Sequence, residues 1–348
     1  MINLDSVSSY AIDRSGMFGH IAGAGPGLLE SWDACDNMRL PAGSNRAESV
    51  VIAGMGGSAT AGDYFTTLCQ ESAQIPVMVV RGPVLPNFVS ERTLVVVASH
   101  SGNTEETFLA YDDAWKRGAT LWVVTTGGAL ARRALDDGVA MHVFQSDAPP
   151  RTAMPQGLAP LLQLGRRTGI LRVDRKDVER ASAAHTRWAR AHEVDVALAD
   201  NRAKQVAITL HGRLPMILGG GHLAAASTRF KNQLAENGKM LAAADTFPEA
   251  GHNLIVGLGT GGVAASTMAL VALNPGAQWS DLRRKSAAFL AMFAEIGIPV
   301  EEIVVDEEAL LDDLIIATAW GDYVSCFLAM LNEQDPTPIP QIERFRSA

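Results

Sequence analysis

Short apolar runs alternate with amphipathic stretches over the first 150 residues of the chain. The apolar runs span residues 49–53, 76–81, 94–98, 119–125 and 140–144. A run without polar alternation is typical of a parallel strand, because such a strand is covered on both faces. Strands that alternate with helices at this spacing predict a doubly wound parallel sheet.

A second copy of this pattern begins further along the chain, with an offset of 164 residues from Gly56 to Gly220. Residues 49–62 and 213–227 share an apolar run, a group of glycines and a helix of small residues. Such a recurrence indicates two pseudo-equivalent lobes. Further helices are predicted over residues 21–38, 156–168, 176–199, 287–296 and 308–332, and a further strand over residues 300–305. We therefore expect an α/β fold of two doubly wound parallel-sheet lobes with a linking helical layer.

A proline-rich segment at residues 149–155 marks the edge of the first lobe. From this break we expect four segments. They are a helical segment over residues 1–45 that packs on the first lobe, the first lobe over 46–150, linking helices over 151–200, and the second lobe with its C-terminal tail over 201–348.

The stretch over residues 94–108 carries the clearest chemical signal. Its apolar run ends in Ser99, and Ser101 and Thr104 follow around a turn at Gly102 before a helix starts. Free N–H groups and the positive end of the dipole at a helix N-terminus bind anions, and hydroxyl groups add donors. The alternative is an ordinary N-capping turn, because serine and threonine are the usual caps. Three hydroxyl groups and a glycine within six residues favour a phosphate-binding loop.

Composition and charge narrow the classes of partner. The 348-residue chain is 47% hydrophobic and 19% charged, with a formal net charge of -9. No basic stripe offsets this charge, so we expect no nucleic-acid partner, and an anionic ligand must be held by local donors. Three separated cysteines without metal-binding spacing indicate reduced thiols and a cytoplasmic protein. The N-terminus lacks a secretory pattern, and the apolar tract over residues 257–273 is too interrupted to span a membrane.

Two other kinds of site fit parts of the first lobe. Residues 54–59 match the Gly-x-Gly-x-x-Ala dinucleotide fingerprint in a strand–turn–helix context. The acidic residue that would bind the ribose is missing, because the second strand ends in Arg81, and only an NADP-type variant remains open. A serine nucleophile at Ser99 or Ser101 is disfavoured because neither residue lies in a Gly-x-Ser-x-Gly elbow.

Three charged or titratable residues are candidates either for chemistry or for ordinary surface positions. Glu236 lies on a predicted helix, where its ordinary interpretation is a solvated carboxylate. His252 lies in a proline- and glycine-rich loop, and loops often carry functional residues. Arg151 follows two prolines and is either a surface charge or a second group that binds phosphate or hydroxyl. Spacing alone does not decide between these interpretations.

Six motifs occur in the order found in one known family. They are residues 54–58, 99–107, 150–155, the helix that carries Glu236, residues 252–253 and residues 335–338. Together they resemble the bifunctional phosphoglucose/phosphomannose isomerases, which are built from two flavodoxin-like sugar-isomerase (SIS) domains. The Ser-x-Ser-Gly-Asn-Thr signature is specific to SIS domains, and the resemblance covers most of residues 46–346.

The resemblance implies interconversion of the 6-phosphates of glucose, mannose and fructose through a cis-enediolate, without a metal ion or a cofactor. The phosphosugar is then the small-molecule partner of the protein. The substrate-binding residues that it implies are Gly56, Gly57, Ser58, Ser99, Ser101, Thr104 and Thr337. Among them, Ser99, Ser101 and Thr104 would bind the 6-phosphate.

Four catalytic residues are also implied by the resemblance. Glu236 would be the base that moves a proton between C1 and C2, and Arg151 would stabilise the enediolate oxygens. His252 would assist ring opening from the neighbouring subunit of a homodimer. Thr337, which belongs to the substrate-binding residues, matches a small residue that leaves room for rotation about the C2–C3 bond, so that both epimers are used. Arg344 matches a lysine that assists ring opening, and it completes the catalytic set.

Two departures from the family pattern bear on these expectations. An arginine at position 344 keeps the charge of the family's lysine but cannot lose a proton at neutral pH. The loop before His252 reads Pro-Glu-Ala-Gly-His-Asn, where the family has Pro-Glu-Leu-Asn-His-Asn, so the histidine loses local support. The alternative function is a non-catalytic SIS module that binds a sugar phosphate in a regulatory role. Such a regulator would need the phosphate-binding loop but no base at Glu236.

Overall fold

The computed structural model describes residues 2–146, 148–260, 264–276 and 280–346. The chain divides into two compact units. The first unit is Gly23–Ala183, and the second unit combines Met1–Ala22 with Ala184–Ala348. Each unit contains one parallel sheet with helices around it.

The first sheet and the helices up to the end of the first unit follow the predicted alternation. The strands are β1 (Ser49–Gly54), β2 (Val77–Val80), β3 (Thr93–Ser99), β4 (Thr120–Thr125) and β5 (Ala140–Val143). The helices are α1 (Met17–Ala22), α2 (Ala24–Ala34), α3 (Gly56–Cys69), α4 (Glu105–Lys116), α5 (Gly128–Asp136), α6 (Met154–Thr168) and α7 (Arg175–Ala191). Short 3-10 turns cover Val7–Ile12, Ser44–Arg46 and Pro150–Thr152.

The five strands of the first sheet are parallel and lie in the order β2-β1-β3-β4-β5. The strand order reverses between β1 and β3, which makes the carboxyl ends of these strands the topological switch point where ligands bind in such sheets. The register pairs Gly54 at the end of β1 with Ala98, next to the end of β3. The glycine turn and the hydroxyl loop therefore start side by side.

The core of the first unit explains why these strands lack polar alternation. Val95 and Val97 face the buried residues of α4 and α5, such as Tyr111 and Leu130. On the opposite face α3 approaches β1 so closely that a Cβ on Gly62 would lie 3.0 Å from the side chain of Ile52. Both faces are covered, so both sets of alternating positions are apolar.

The second unit repeats the first four positions of this topology. Its strands are β6 (Leu214–Gly220), β7 (Ala243–Phe247), β8 (Met268–Pro275) and β9 (Val300–Val305), parallel and in the order β7-β6-β8-β9. The helices are α8 (Arg202–Leu210), α9 (Ala224–Glu236), α10 (Ala264–Thr267), α11 (Ser280–Glu295), α12 (Leu310–Leu331) and α13 (Pro340–Arg346), with 3-10 turns at Gly221–Leu223, Glu249–His252 and Leu254–Thr260. The predicted fold class, two doubly wound parallel sheets with helices, is confirmed.

The elements of the second unit that were not predicted include α8, β7, α10, β8 and α13. The central strand β8 lies partly in the glycine-containing tract over residues 257–273, where the pattern indicated only that no membrane span is present. Helix α7 was predicted to continue to residue 199 but ends at Ala191. Beyond this end the carbonyls of Val194 and Val196 accept hydrogen bonds from the ammonium group of Lys204, at 3.0 and 2.7 Å.

The N-terminal segment divides differently from the expected single segment over residues 1–45. Residues 1–22 belong to the second unit, and only the part from Gly23 onwards belongs to the first. The buried ammonium group of Lys204 donates to the carbonyl of Leu4 at 2.7 Å, and Asp5 accepts from Lys204 and from the amide of Leu198. Phe18 also packs on Phe327 of α12. These contacts give residues 1–22 their place in the second unit.

Helix α12 is the most apolar helix among the described residues. By length and composition alone it could cross a membrane, but the whole of its apolar window is buried inside the protein. It packs against α8 and α9. Helix α12 is therefore the central core helix of the second unit.

Candidate functional site

The hydroxyl loop after β3 is held by its own side chains. Ser99 is only 3% exposed, and its Oγ lies 3.1 Å from Oγ1 of Thr104. The same Ser99 oxygen accepts the amide of Gly102 at 3.1 Å. Ser101 is exposed, and its Oγ accepts the amide of Asn103 at 3.2 Å. Thr104 stands at the N-cap of α4, yet its side chain makes no cap hydrogen bond. The hydroxyls thus organise a loop instead of simply capping a helix.

A second loop packs backbone to backbone against this one. Gly102 has φ +62°, and a Cβ built there would lie 1.9 Å from the carbonyl oxygen of Gly127, after β4. The amide of Leu130 donates to the carbonyl of Gly102 at 2.9 Å. Only glycine fits such a conformation at this distance from another backbone. The loops after β3 and β4 therefore form one closely packed surface at the carboxyl edge of the first sheet.

The glycine turn after β1 adjoins the segment that carries Arg151. Helix α3 begins at Gly56, and Ser58 is half-buried in its first turn. A Cβ on Gly57 would lie 3.2 Å from the carbonyl oxygen of Pro150 and 3.9 Å from Cα of Arg151. Arg151 itself is 4% exposed. The first unit therefore brings the glycine turn and Arg151 together at the switch point, close to the hydroxyl loop.

A small cavity lies beneath the glycine turn, and sequence reasoning did not assign a role to the histidine that lines it. The cavity has a volume of about 20 Å³, enough for one water molecule, and its walls include Gly57, Ser58, His100 and Phe144. The imidazole of His100 packs edge-on against Phe144, with ring centroids 5.8 Å apart. Burial lowers the pKa of His100, which favours its neutral form.

The rival dinucleotide site finds no support at Arg81. Its guanidinium forms an ion pair with Asp63 of α3. Burial raises the pKa of the Asp63 carboxyl, and the hydrogen bond from Arg81 opposes this shift. Arg81 thus already has a partner within the first unit.

In the second unit, Glu236 is the last residue of α9 and is half-buried. The rest of this helix is attached to α12 by a buried polar ladder. Arg229 donates to both carboxylate oxygens of Asp322 at 2.9 and 3.1 Å, and Gln233 donates to the same carboxylate at 2.5 Å. One turn later, Asn237 donates to Oγ of Ser325 at 3.0 Å. The orientation of the helix that carries Glu236 is therefore defined by specific hydrogen bonds.

Thr337 lies close to the end of the same helix. Its amide donates to Asp335 at 2.9 Å. The ammonium group of Lys239 donates to the carbonyl of Glu236 and to the carbonyls of Pro336 and Pro338, on either side of Thr337, at 2.9 and 2.6 Å. The structure thus links two predicted site residues through a lysine to which the sequence assigned no role. The feature of the sequence that could have indicated this role is the position of the lysine, three residues after the candidate base.

His252 and Arg344 occupy other parts of the second unit. His252 is exposed and borders an apolar groove of about 410 Å³ between its 3-10 turn and α11. The groove is lined by residues such as Phe247, Ile255 and Met292, and Glu236 is not among its lining residues. Arg344 is an exposed residue of α13.

The chain is similar to known proteins over most of its length. A family model described as the bacterial phospho-glucose isomerase C-terminal SIS domain matches residues 199–348. A bifunctional phosphoglucose/phosphomannose isomerase of Caldicellulosiruptor bescii is 30% identical over 321 residues, which cover 91% of this chain and 94% of the relative. Another with the same name, from Thermoplasma volcanium, is 29% identical and covers 86% of this chain and 90% of its own.

The fold is also found among solved structures. A hypothetical protein of Thermus thermophilus superimposes with a TM-score of 0.72 over 95% of this chain and 89% of its own, at 18% identity. Two parallel sheets of shared strand order, with a hydroxyl loop at the first switch point, define a double SIS-domain protein. The chain belongs to the family of bifunctional phosphoglucose/phosphomannose isomerases, as its sequence motifs had indicated.

Proposed function

We propose that the protein is an aldose–ketose isomerase that converts glucose 6-phosphate and mannose 6-phosphate to fructose 6-phosphate. The proton moves between C1 and C2 through a cis-enediolate, without a metal ion. Family membership supports this reaction, since the curated relatives carry both activities in their names. The observation that carries the proposal is the pairing of Gly54 with Ala98, which sets the glycine turn beside the hydroxyl loop.

The hydroxyl loop is assigned to the 6-phosphate. Ser101 presents an exposed hydroxyl, and Ser99 and Thr104 shape the loop through their mutual hydrogen bond. The N-terminus of α4 and the backbone amides add donors of the kind that bind phosphate. The phosphate lies far from the reacting carbons, so its binding energy fixes the position of the sugar during the reaction.

Glu236 is assigned the role of base, and Arg151 that of the cation which stabilises the enediolate oxygens. Removal of a proton next to a carbonyl group requires a correctly placed carboxylate together with stabilisation of the negative charge that develops. A base placed in this way contributes about 10²- to 10⁴-fold to the rate. The hydrogen-bonded ladder between α9 and α12 supports the role of Glu236, because it gives the helix a defined orientation.

We assign ring opening to His252 and Arg344, and we propose that His252 acts on the substrate bound by a second copy of the chain. Two observations support a homodimer: His252 is exposed, and it borders an apolar groove that does not include Glu236. Arg344 stays protonated at neutral pH, so its part is to stabilise charge on the ring oxygen. The reaction belongs to carbohydrate metabolism, and we propose a glycolytic role in the cytoplasm.

The test is a coupled assay for fructose 6-phosphate formed from each aldose phosphate. We expect the wild-type protein to use both sugars and Glu236→Gln to lose about 10²- to 10⁴-fold in kcat with little change in substrate affinity. If the wild type binds phosphosugar but converts neither sugar, the protein is a regulatory SIS module and the enzyme proposal is wrong. Equal activity of Glu236→Gln and wild type would remove Glu236 from the role of base.

A further inference from the structure

The turn that follows α9 has an uncommon backbone. Residues 237–240, the Lys239 turn, contain Gly238, where an added Cβ would lie 2.7 Å from the carbonyl of Leu234. Lys239 has φ +56°, in the left-handed region that few residues other than glycine adopt. Such a conformation persists only where surrounding contacts determine it.

The contacts that hold the turn come from the C-terminal segment, almost 100 residues away in sequence. The ammonium group of Lys239 donates to the carbonyls of Pro336 and Pro338 at 2.9 and 2.6 Å, and also to the carbonyl of Glu236. In the reverse direction, the side-chain amide of Asn332 donates to the carbonyl of Gly238 at 2.8 Å. The turn and the C-terminal segment are therefore bound to each other from both sides.

The ammonium group of Lys239 connects the backbone of the candidate base Glu236 to the backbone on either side of Thr337. Proline has no N–H group, so the segment around Thr337 has fewer backbone donors with which to fix itself. The hydrogen bonds to the two proline carbonyls are charge-assisted and so are stronger than hydrogen bonds between neutral groups. A displacement of Lys239 would move the Thr337 segment relative to the carboxyl end of α9.

We propose that Lys239 is a positioning residue that sets the selectivity between glucose 6-phosphate and mannose 6-phosphate. The inference rests on the proposed function, in which Glu236 transfers the proton, and on the role that the family resemblance implies for Thr337, which is to leave room for rotation about C2–C3. The two aldoses differ only in the configuration at C2, so the distance between these groups affects them unequally. Lys239 touches neither the phosphate nor the reacting atoms in this assignment, and it acts through the positions of Glu236 and Thr337.

The experiment compares Lys239→Met with Lys231→Met in the full-length protein. Lys231 lies on α9, before the Lys239 turn, and is also half-buried, so the control removes the same charge outside that turn. We expect Lys239→Met to lower kcat for at least one sugar by about 10- to 100-fold, since misplacement by about 1 Å has effects of this size. The ratio of kcat/KM for the two sugars should change at least about fivefold, while Lys231→Met keeps both values.

A structural role alone would leave this ratio unchanged, so equal losses for both sugars would overturn the inference. Lys239→Arg is the second variant, in case the methionine variant does not fold; it keeps a charged donor of different shape and should shift the ratio in part. Hydrogen exchange of the backbone amides in residues 334–339 gives a readout independent of activity. Faster exchange in Lys239→Met than in Lys231→Met supports the positional role, and equal exchange overturns it. An inactive wild type would refute the proposed function and the role in selectivity, whereas the exchange result would still decide whether Lys239 holds the segment.

Discussion

The hydroxyl oxygen of Ser99 lies 3.1 Å from that of Thr104 and accepts the amide of Gly102 at the same distance. Ser99 is therefore occupied within its own loop, at 3% exposure, while Ser101 is exposed at the surface of that loop. Three hydroxyls that look equivalent in the sequence have different environments in the structure. Their removal should have different consequences.

We expect Ser99→Ala to lower the free energy of unfolding by about 1–3 kcal/mol, because it leaves buried groups without their hydrogen-bond partner. Ser101→Ala should change stability by less than about 0.5 kcal/mol, as is usual at exposed positions, and should mainly raise KM for the sugar phosphates. Urea unfolding and steady-state kinetics of the two variants check this difference. Equal losses of stability would show that the hydrogen bonds of Ser99 do not hold the loop.

Gly102→Ala should be strongly destabilising, because the new Cβ would lie 1.9 Å from the carbonyl oxygen of Gly127 in addition to the positive φ. Gly118→Ala is the matched control: its φ is +70°, but nothing lies within 4 Å of its Cβ position. The control should cost about 1–2 kcal/mol, the ordinary penalty of the left-handed region. Thermal unfolding of both variants should therefore show the larger loss at Gly102, together with weaker binding of inorganic phosphate. Similar unfolding temperatures would contradict the close approach of the two loops.

Lys204→Met should lower the stability of the second unit by about 3–5 kcal/mol, since it removes a buried cation and leaves its acceptors behind. The lysine is fully buried and donates to the carbonyls of Leu4, Val194 and Val196 and to Asp5. Hydrogen exchange of the amides of residues 2–12 should be faster than in the wild type. The exposed Lys176→Met serves as control. If the amides of the N-terminal segment exchange as slowly in the variant as in the wild type, Lys204 does not hold this segment on the second unit.

His185 should make stability depend on pH on the acid side. It is 1% exposed, neither ring nitrogen has a hydrogen-bond partner among the described residues, and burial lowers its pKa to about 4. Between the ordinary value of 6.5 and about 4 the unfolded state binds a proton that the folded state does not. Stability is then lost as pH falls through this window, by about 3 kcal/mol in total.

The variant His185→Phe removes this titration. Its free energy of unfolding, measured from urea titrations at intervals between pH 4 and pH 8, should fall less steeply on the acid side than that of the wild type, by about 1.4 kcal/mol per pH unit. The two curves should run parallel above pH 7, where the imidazole of His185 is neutral in both the folded and the unfolded state. Curves that stay parallel down to pH 4 would exclude His185 as the source of the acid sensitivity.

A mixture of two inactive variants tests whether His252 acts across a dimer interface. Glu236→Gln and His252→Ala, unfolded together and refolded in equal amounts, should recover about a quarter of wild-type activity, because half of the dimers are mixed and each mixed dimer holds one intact site. Mass measurement in solution checks the dimer independently. If both residues of a site come from one chain, the mixture stays inactive.

The features read correctly from the sequence are those that depend on near neighbours in the chain. The apolar strands of the first sheet, the glycine turn at Gly56 and the hydroxyl loop all follow from local periodicity and turn chemistry. Strand β8 escaped prediction although it is central to its sheet. The composition of its tract is dominated by the glycines before it, and only pairing with β6 and β9 gives it the extended conformation.

The sequence by itself determined the two-lobed α/β fold, the order of the candidate site motifs and the family to which the chain belongs. The tertiary structure alone decided which hydroxyl is buried, why position 102 requires glycine, and how Lys239 joins Glu236 to Thr337. The reason is physical: a local pattern specifies backbone conformation and the apolar face of an element. A close approach or a hydrogen bond between residues almost 100 positions apart exists only after the elements have packed.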